Sequence, residues 1–562
     1  MKLIECVPNF SEGNSQIFIN GIKDIVENSN NVQLLDIDPG KDTNRTVLTF
    51  IGEPNSVINV AYKLIEFASV NIDMRNHKGE HPRMGATDVC PLIPLQNVTM
   101  NECIELSKSL ASKVASKLNI PIYLYENSAK NNYRKNLSDI RSGEYENLVH
   151  KLGDKKWKPD FGPTDYNNPI FNISKTGATA IGAREFLIAY NINLNTTDKK
   201  IATDIALDIR EAGRFKRDSN NKILRDRNGI GIKKPGKLKF CKAVGWYINE
   251  YKQAQVSINL INYKVTSIHK TFEEVRMQAR KRGIRVTGSE VVGLLPKKAL
   301  IDSGNYYLKK QKKSIGIPEE DIINIAIKSL GLEDISTFNP NKKIIEYLVD
   351  RNENELKHLS IEKFLNELSR DSFAPGGGSV SALAGSLGAS LTCMVSNLTY
   401  GNDKYRKYSK ICLQSSVKSQ NYKDLLVALV DQDTIAYNNI VSSMRLPKRT
   451  KNDQKLREKE ILKATINATN IPLEIIRICS KLIKETLNVA ENSNPNCISD
   501  IGVASNMISS ASLGAFYNIL INIKDLRKTK REYYLSTSDF YLKQINSNHI
   551  KIIKIVEKIL ND

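Results

Sequence analysis

Several kinds of residue and motif are scarce in this 562-residue chain, and each scarcity removes a class of protein. Eight Cys stand at positions 6, 90, 103, 241, 393, 412, 479 and 497, and no two have CxxC or metal-knuckle spacing. That excludes a zinc ribbon or a thioredoxin-like site. Dispersed, mostly apolar-flanked Cys point instead to a reducing compartment, read here as the cytoplasm. The first ten residues, MKLIECVPNF, hold no apolar run long enough for a secretory signal and read better as a first strand. The formal charge is +21, yet no named nucleic-acid-binding motif accompanies it, so the excess is read as compositional drift and no nucleic-acid partner is expected. One stretch stands apart. Arg214 to Lys242 carries eleven Lys or Arg against two Asp and contains turn signals at Asp218-Ser-Asn-Asn and Arg227-Asn-Gly, an expected exposed basic hairpin or loop.

One long charge-free run is present. Gly378 to Thr399 is long enough to span a membrane, but eight of its residues are Ser, Thr or Asn. Its small residues Ser381, Gly385, Gly388, Ala389 and Thr392 fall on one helical face, where another helix can approach closely. A packed helix is expected, not a membrane span.

Hydrophobic content of 41% and charged content of 25% are globular values, and the length suggests roughly three to four folding units. The first half alternates strand-like runs (Leu3–Pro8, Val32–Ile37, Thr46–Ile51, Pro121–Tyr125) with helical spacing (Ile17–Glu27, Ser56–Ala68, Asn101–Leu118). After a Gly, Pro and Asn-rich stretch the alternation restarts at Phe186. The expected fold is multidomain. Two α/β (α+β) subdomains, 1–180 and 181–334, are followed by a polar linker at 335–360 and an all-α helix bundle at 361–562.

The densest polar cluster runs from Arg75 to Pro91. It contains two of the six His, His77 and His81, with Asn76, Glu80, Arg83 and Asp88 around them. HxxxH spacing binds metal on a helix, but Gly79 and Pro82 break a helix here and no third ligand is evident, so no metal is expected. A hydrogen-bonded structural His and a general acid/base remain, the latter because imidazole titrates near neutrality.

The residues that resemble a known family begin here. Glu5-Cys-Val-Pro-Asn-Phe-Ser-Glu-Gly13, Thr43-Asn-Arg-Thr46, His77-Lys-Gly-Glu-His-Pro-Arg-Met-Gly85, Asp88-Val-Cys-Pro91, Gly177-Ala-Thr179 and Gly182-Ala-Arg184 resemble the transferase half of the formimidoyltransferase-cyclodeaminase family. Ala374-Pro-Gly-Gly-Gly-Ser-Val380, Met444-Arg-Leu-Pro-Lys448 and Asn518-Ile-Leu-Ile-Asn522 resemble its helical half, so the likeness covers nearly the whole chain in order.

The resemblance implies transfer of a formimino group from formiminoglutamate to tetrahydrofolate, then closure to 5,10-methenyltetrahydrofolate with loss of ammonia. Tetrahydrofolate would be a co-substrate, with no metal, in a cytoplasmic homo-oligomer whose folate polyglutamate tails help pass the intermediate between sites. The family's proton acceptor falls on His81. Its folate segment runs from Gly162, Pro163 and Thr164 to Gly177, with Tyr166 or Phe171 either stacked on the pterin or packed in the loop. Arg45 and Arg83 would hold glutamate carboxylates, or brace the loop. Asp433 matches the cyclodeaminase carboxylate. Its neighbour Asp431 competes for the role, since residues two apart on a helix point in different directions. Gly376, Gly377 and Gly378 open a helix whose N–H groups can hold an anion or carbonyl. Ser499, Asp500 and Asn518 complete the expected set. Two alternatives stay open: a formyl-donor transferase and cyclohydrolase, or a folate-binding protein with one inactive site.

Overall fold

The computed structural model describes residues 2–562 apart from 42, 80, 228, 250 and 350–354, so Glu80 and part of the expected linker lie outside the described residues. The chain divides into two units, residues 1–299 with 330–350, and residues 300–329 with 351–562.

The first unit carries two larger sheets and a two-stranded ribbon among its described residues. Seven strands form the first: Leu3–Cys6 (β1), Asn9–Phe10 (β2), Val32–Gly40 (β3), Arg45–Gly52 (β4), Thr87–Gln96 (β5), Ile122–Glu126 (β6) and Thr179–Ala183 (β7). β3 and β4 pair at one side, β1 and β2 both run between β4 and β5, and β7 lies between β5 and β6. The pairings of β7 are parallel and the rest antiparallel. Strand alternation then sorts the side chains. Ile4, Cys6, Leu48, Phe50, Cys90 and Leu92 face a hydrophobic core shared with helices Gln16–Glu27 (α1), Pro54–Asn71 (α2) and Met100–Leu118 (α3). Each fully buried Leu or Phe there contributes roughly 1.5–3 kcal/mol. Capping sets where the helices begin. Ser15 accepts from the Phe18 N–H, and Thr99 with Glu102 forms a reciprocal capping box. The intervening residues of the strands, Glu5, Arg45, Val47, Val89 and Pro91, are left on the other face.

The second sheet is antiparallel. Its strands are Ile188–Leu194 (β8), Cys241–Ile248 (β11), Gln253–Leu260 (β12) and Val286–Val292 (β13), in the order β11-β12-β8-β13. Helices Lys199–Ile209 (α4) and Ile268–Lys281 (α5) pack on it. The basic stretch is an exposed ribbon closed by Arg214–Phe215 (β9) and Lys233–Lys234 (β10). Inside the ribbon one turn occurs twice with a period of eight. Arg217 bridges Ile223 and donates to the Asn221 carbonyl, while Arg225 bridges Gly231 and donates to the Gly229 carbonyl.

The second unit is helical: Gly377–Tyr400 (α6), Ser409–Met444 (α7), Lys451–Glu491 (α8), Ile498–Asn522 (α9) and Lys528–Asn561 (α10). Among the described residues α6 is the one helix long and apolar enough to cross a membrane, but 61% of its apolar window is buried. Its small face does the packing. A Cβ on Gly385 would meet Leu426 and Cys479, and one on Gly388 would fall 2.6 Å from Ile508. Its hydroxyls bond within the bundle, as when Thr392 Oγ1 meets Thr486 Oγ1 at 2.9 Å.

The unit boundary differs from the expected one. Residues 300–329 belong with the helical unit. Gly316 lies against Ser416, and its carbonyl accepts from Asn397 Nδ2 at 2.7 Å. Residues 330–350 belong with the first unit, where Ile344 and Ile345 are buried and Ile344 bridges Leu295. Much of the stretch expected to be a linker is therefore ordered, because a few apolar anchors suffice in an otherwise polar segment.

Candidate active sites

The first unit contains a cavity of about 700 Å³. Its floor is the polar face of the first sheet, with Glu5 from β1, Asp36 and Asp38 from β3, Arg45 from β4 and Tyr125 from β6. Residues of the second sheet, Ala189, Lys242 and Asn259, also line it, and His81 and Arg141 enter from loops.

Arg45 Nη1 lies 2.6 Å from His81 Nε2. A guanidinium only donates, so Nε2 accepts and the imidazole proton sits on Nδ1. Burial, then the charges of Arg45 and Arg141, lower the His81 pKa to about 4. His81 is thus a neutral base at physiological pH. Its Nδ1 and the Arg45 Nε are buried without a hydrogen-bond partner among the described residues.

The loop is held by its neighbours. His77 Nε2 donates to the Asn44 carbonyl at 3.0 Å and its Nδ1 accepts from Arg83 Nε at 3.2 Å. His77 is therefore a latch. Asp88 accepts from Arg141 and from the Met84 N–H at 2.9 Å. A Cβ on Gly79 would fall 2.4 Å from the Thr43 carbonyl oxygen, so only Gly permits that approach. Arg83 differs from one of its two expected roles. Its Nη1 is 2.9 Å from Glu144, and its fork closes on Glu146 at 2.9 and 2.5 Å. With its donors spent on the protein's own carboxylates and on His77, Arg83 braces the loop rather than holding a substrate carboxylate.

Gly162, Pro163, Thr164 and Gly177 do not line the His81 cavity. Gly162 has φ +93 and sits over the Ile120 carbonyl. Gly177 bridges Gly85, and a Cβ on it would fall 2.2 Å from the Met84 carbonyl oxygen, so it positions the end of the His81 loop. Tyr166 and Phe171 pack against a core that includes Met84 and Tyr123, the packed-loop alternative.

In the helical unit, Asp433 on α7 meets the start of α6. A Cβ on Gly378 would fall 2.1 Å from Asp433 Oδ1, and Ser379 Oγ lies 3.3 Å from its Oδ2. Burial raises the Asp433 pKa, opposed by hydrogen bonds from the Ser379 hydroxyl and N–H. Gly377 faces Asn518 of α9. The turn Gly376–Gly378, Asp433 and Asn518 therefore share one place. Asp431 points elsewhere and accepts from the Leu356 N–H at 2.6 Å. Ser499 and Asp500 lie at the opposite end of α9 from Asn518, close to 30 Å away at about 1.5 Å per residue, and are not brought to Asp433 within this chain.

Sequence reasoning passed over Glu5, Asp36, Asp38, Arg141 and Arg184, all on the cavity wall. The signal for Glu5 was a charged residue between apolar Ile4 and Cys6 in a short strand. Arg141 follows a one-turn helix and carried no comparable pattern.

Known proteins match both units of the chain. Residues 3–184 match the formiminotransferase domain, N-terminal subdomain; residues 189–350 match the formiminotransferase domain; residues 360–537 match formiminotransferase-cyclodeaminase. The formimidoyltransferase-cyclodeaminase of Rattus norvegicus is 40% identical over 527 residues, 93% of each chain. That of Gallus gallus is 38% identical over 562 residues, 99% of each. The glutamate formimidoyltransferase of Streptococcus pyogenes serotype M1 is 41% identical over 308 residues, 55% of this chain and 94% of that one.

Proposed function

Because the chain belongs to the formimidoyltransferase-cyclodeaminase family, we propose that His81 and Asp433 carry the protons of its two reactions. The protein is a bifunctional folate enzyme. It transfers the formimino group of N-formimino-L-glutamate to tetrahydrofolate, giving 5-formiminotetrahydrofolate and glutamate. It then cyclises that product to 5,10-methenyltetrahydrofolate with release of ammonia, a step of histidine degradation and one-carbon metabolism.

In the transfer, N5 of tetrahydrofolate attacks the formimino carbon and becomes cationic. His81 takes the N5 proton and returns it to the glutamate nitrogen as the carbon–nitrogen bond to glutamate breaks. Holding both reactants in one cavity removes most of the entropic barrier to their meeting. Arg45 is the cation proposed to meet a glutamate carboxylate, which would draw it off the imidazole and free Nε2. In the second reaction N10 attacks the formimino carbon, and Asp433 moves the N10 proton to the departing ammonia. The N–H groups of Gly377 and Gly378 are proposed to hold the folate beside it.

The observation that carries this reading is the neutral His81 in a cavity furnished with both signs of charge. Location in the cytoplasm is proposed from eight cysteines that are all free thiols. A homo-oligomer is proposed from apolar side chains exposed on adjacent helices, Leu387 and Leu398 of α6 with Leu513 and Tyr517 of α9.

The test mixes protein, tetrahydrofolate and formiminoglutamate and follows methenyl absorbance together with ammonia. Both products are expected in equal amounts. Absence of both overturns the reading, and methenyl product made only from a formyl donor moves it to the cyclohydrolase alternative.

A further inference from the structure

The proton traffic described above uses none of the carboxylates of the His81 cavity, and one of them, Glu5, is the most deeply buried. Glu5 sits between Ile4 and Cys6 on β1, both in the hydrophobic core, so the pleat turns it to the opposite face, where it lines the cavity. Only 2% of it is exposed. No hydrogen bond or ion pair reaches its carboxylate among the described residues. Arg184 is the charge that acts on it. Of the other acids on this wall, Glu126 faces Lys242 and Arg184, Glu144 pairs with Arg83 at 2.9 Å, Asp36 faces Asp38 and Lys343, and Asp38 acts on Arg45. A buried, unpartnered carboxylate is costly. Burial accordingly pushes the Glu5 carboxyl up to about 7, against the pull of Arg184.

We propose that Glu5 receives the formamidinium end of the donor, and so makes the enzyme select a formimino group over a formyl group. This rests on the transferase reading above. An N-formimino group is an amidine, cationic at neutral pH and planar, with N–H donors on one edge that match the two oxygens of a carboxylate. A formyl group in the same place is neutral and turns a carbonyl oxygen toward Glu5; against the ionised carboxylate this is acceptor against acceptor, and against the protonated acid it forgoes the charge pair that an amidinium makes. The balance of the reaction keeps Glu5 occupied throughout. The electron pair of the breaking bond goes to the glutamate nitrogen, which takes the proton that N5 lost, and the amidinium charge passes from the donor to the N5 adduct.

The test uses the full chain and its Glu5→Gln and Glu5→Asp variants. Steady-state KM for formiminoglutamate, Ki for N-formylglutamate and KM for tetrahydrofolate are measured for each. In the wild type the formimino compound is expected to bind more tightly. Glu5→Gln should collapse that preference by about 30-fold or more, the scale of a charge-assisted pair in a dry site, while the folate KM stays within about threefold. Glu5→Asp, one methylene shorter, should give an intermediate loss. A preference that survives unchanged in Glu5→Gln overturns the proposal, and if that variant does not fold, an unchanged preference in Glu5→Asp does so. A wild type that transfers nothing from formiminoglutamate would defeat the transferase reading itself, a separate result.

Discussion

His81 and Asp433 are both held toward their neutral forms, but in unlike surroundings. The His81 cavity is rich in charge: Arg45, Arg141, Arg184 and Lys242 share its wall with Glu5, Asp36, Asp38 and Glu126. Asp433 meets a glycine, a serine and the start of a helix, and no cation acts on it among the causes of its shift. The difference fits the two reactions. The first joins two separately bound, charged molecules, so the pocket must read charge at several points. The second is ring closure within one molecule, where a single carboxylate at the right distance suffices and close backbone approach matters more than charge.

The sharpest way to break this comparison is to remove each proposed proton carrier. His81→Ala should lower the transferase rate by about 10²–10⁴-fold and leave cyclisation of supplied 5-formiminotetrahydrofolate intact, with Asp433→Ala the mirror image. One substitution that stops both reactions would show that the sites are not independent. Next, Gly378→Ala puts a methyl group 2.1 Å from the Asp433 oxygen. Displacing that carboxylate by about 1 Å should cost the cyclodeaminase about 10²-fold with the transferase unchanged. An unaffected cyclodeaminase would mean that close approach is not what its site requires.

Two predictions concern pH. The folded-state pKa of Glu5, about 7, lies above its ordinary value of 4.5. The native state therefore binds the proton more tightly, and stability is lost as pH rises from about 4.5 through about 7. Glu5→Gln escapes that loss and should be more stable at pH 8 by on the order of 3 kcal/mol, with little difference near pH 4, as denaturant titrations would measure. Equal gains at both values would place the effect in packing. For His81, the folded-state pKa of about 4 means that the neutral base persists well below pH 6.5. Arg45→Gln removes a cation that holds the value down, so the acid limb of the transferase kcat/KM should move to higher pH, whereas Arg83→Gln should leave the limb in place. The smallest effect concerns Asp431. Asp431→Ala leaves the Leu356 N–H without its acceptor and should cost about 1–2 kcal/mol of stability with cyclodeaminase kcat retained.

Periodicity and punctuation made most of the architecture legible in the sequence. Alternating runs located strands such as β3, β4 and β6, and helical spacing located α1 to α3 and the bundle. β5 escaped because Pro91 and Pro94 interrupt a run that nevertheless crosses the sheet, its pairing with β1 shifted at Leu3/Ile4. β7 escaped because it is built from small residues. A Cβ on its Gly182 would meet the Tyr125 carbonyl oxygen at 2.3 Å, so β-branched side chains do not fit at that point.

The residue types and local spacings of this chain determined by themselves the order of its parts, the small-faced helix and the polar loop that carries His77 and His81. They did so because those features depend on near neighbours along the chain. Which of Asp431 and Asp433 meets the glycine turn, that Arg83 spends its fork on Glu144 and Glu146, that residues 300–329 join the helices, and that Glu5 is buried beside His81's cavity were decided only by tertiary structure. Each depends on groups tens to hundreds of residues apart brought within a few ångströms, where burial and charge, which no local pattern records, set what a side chain can do.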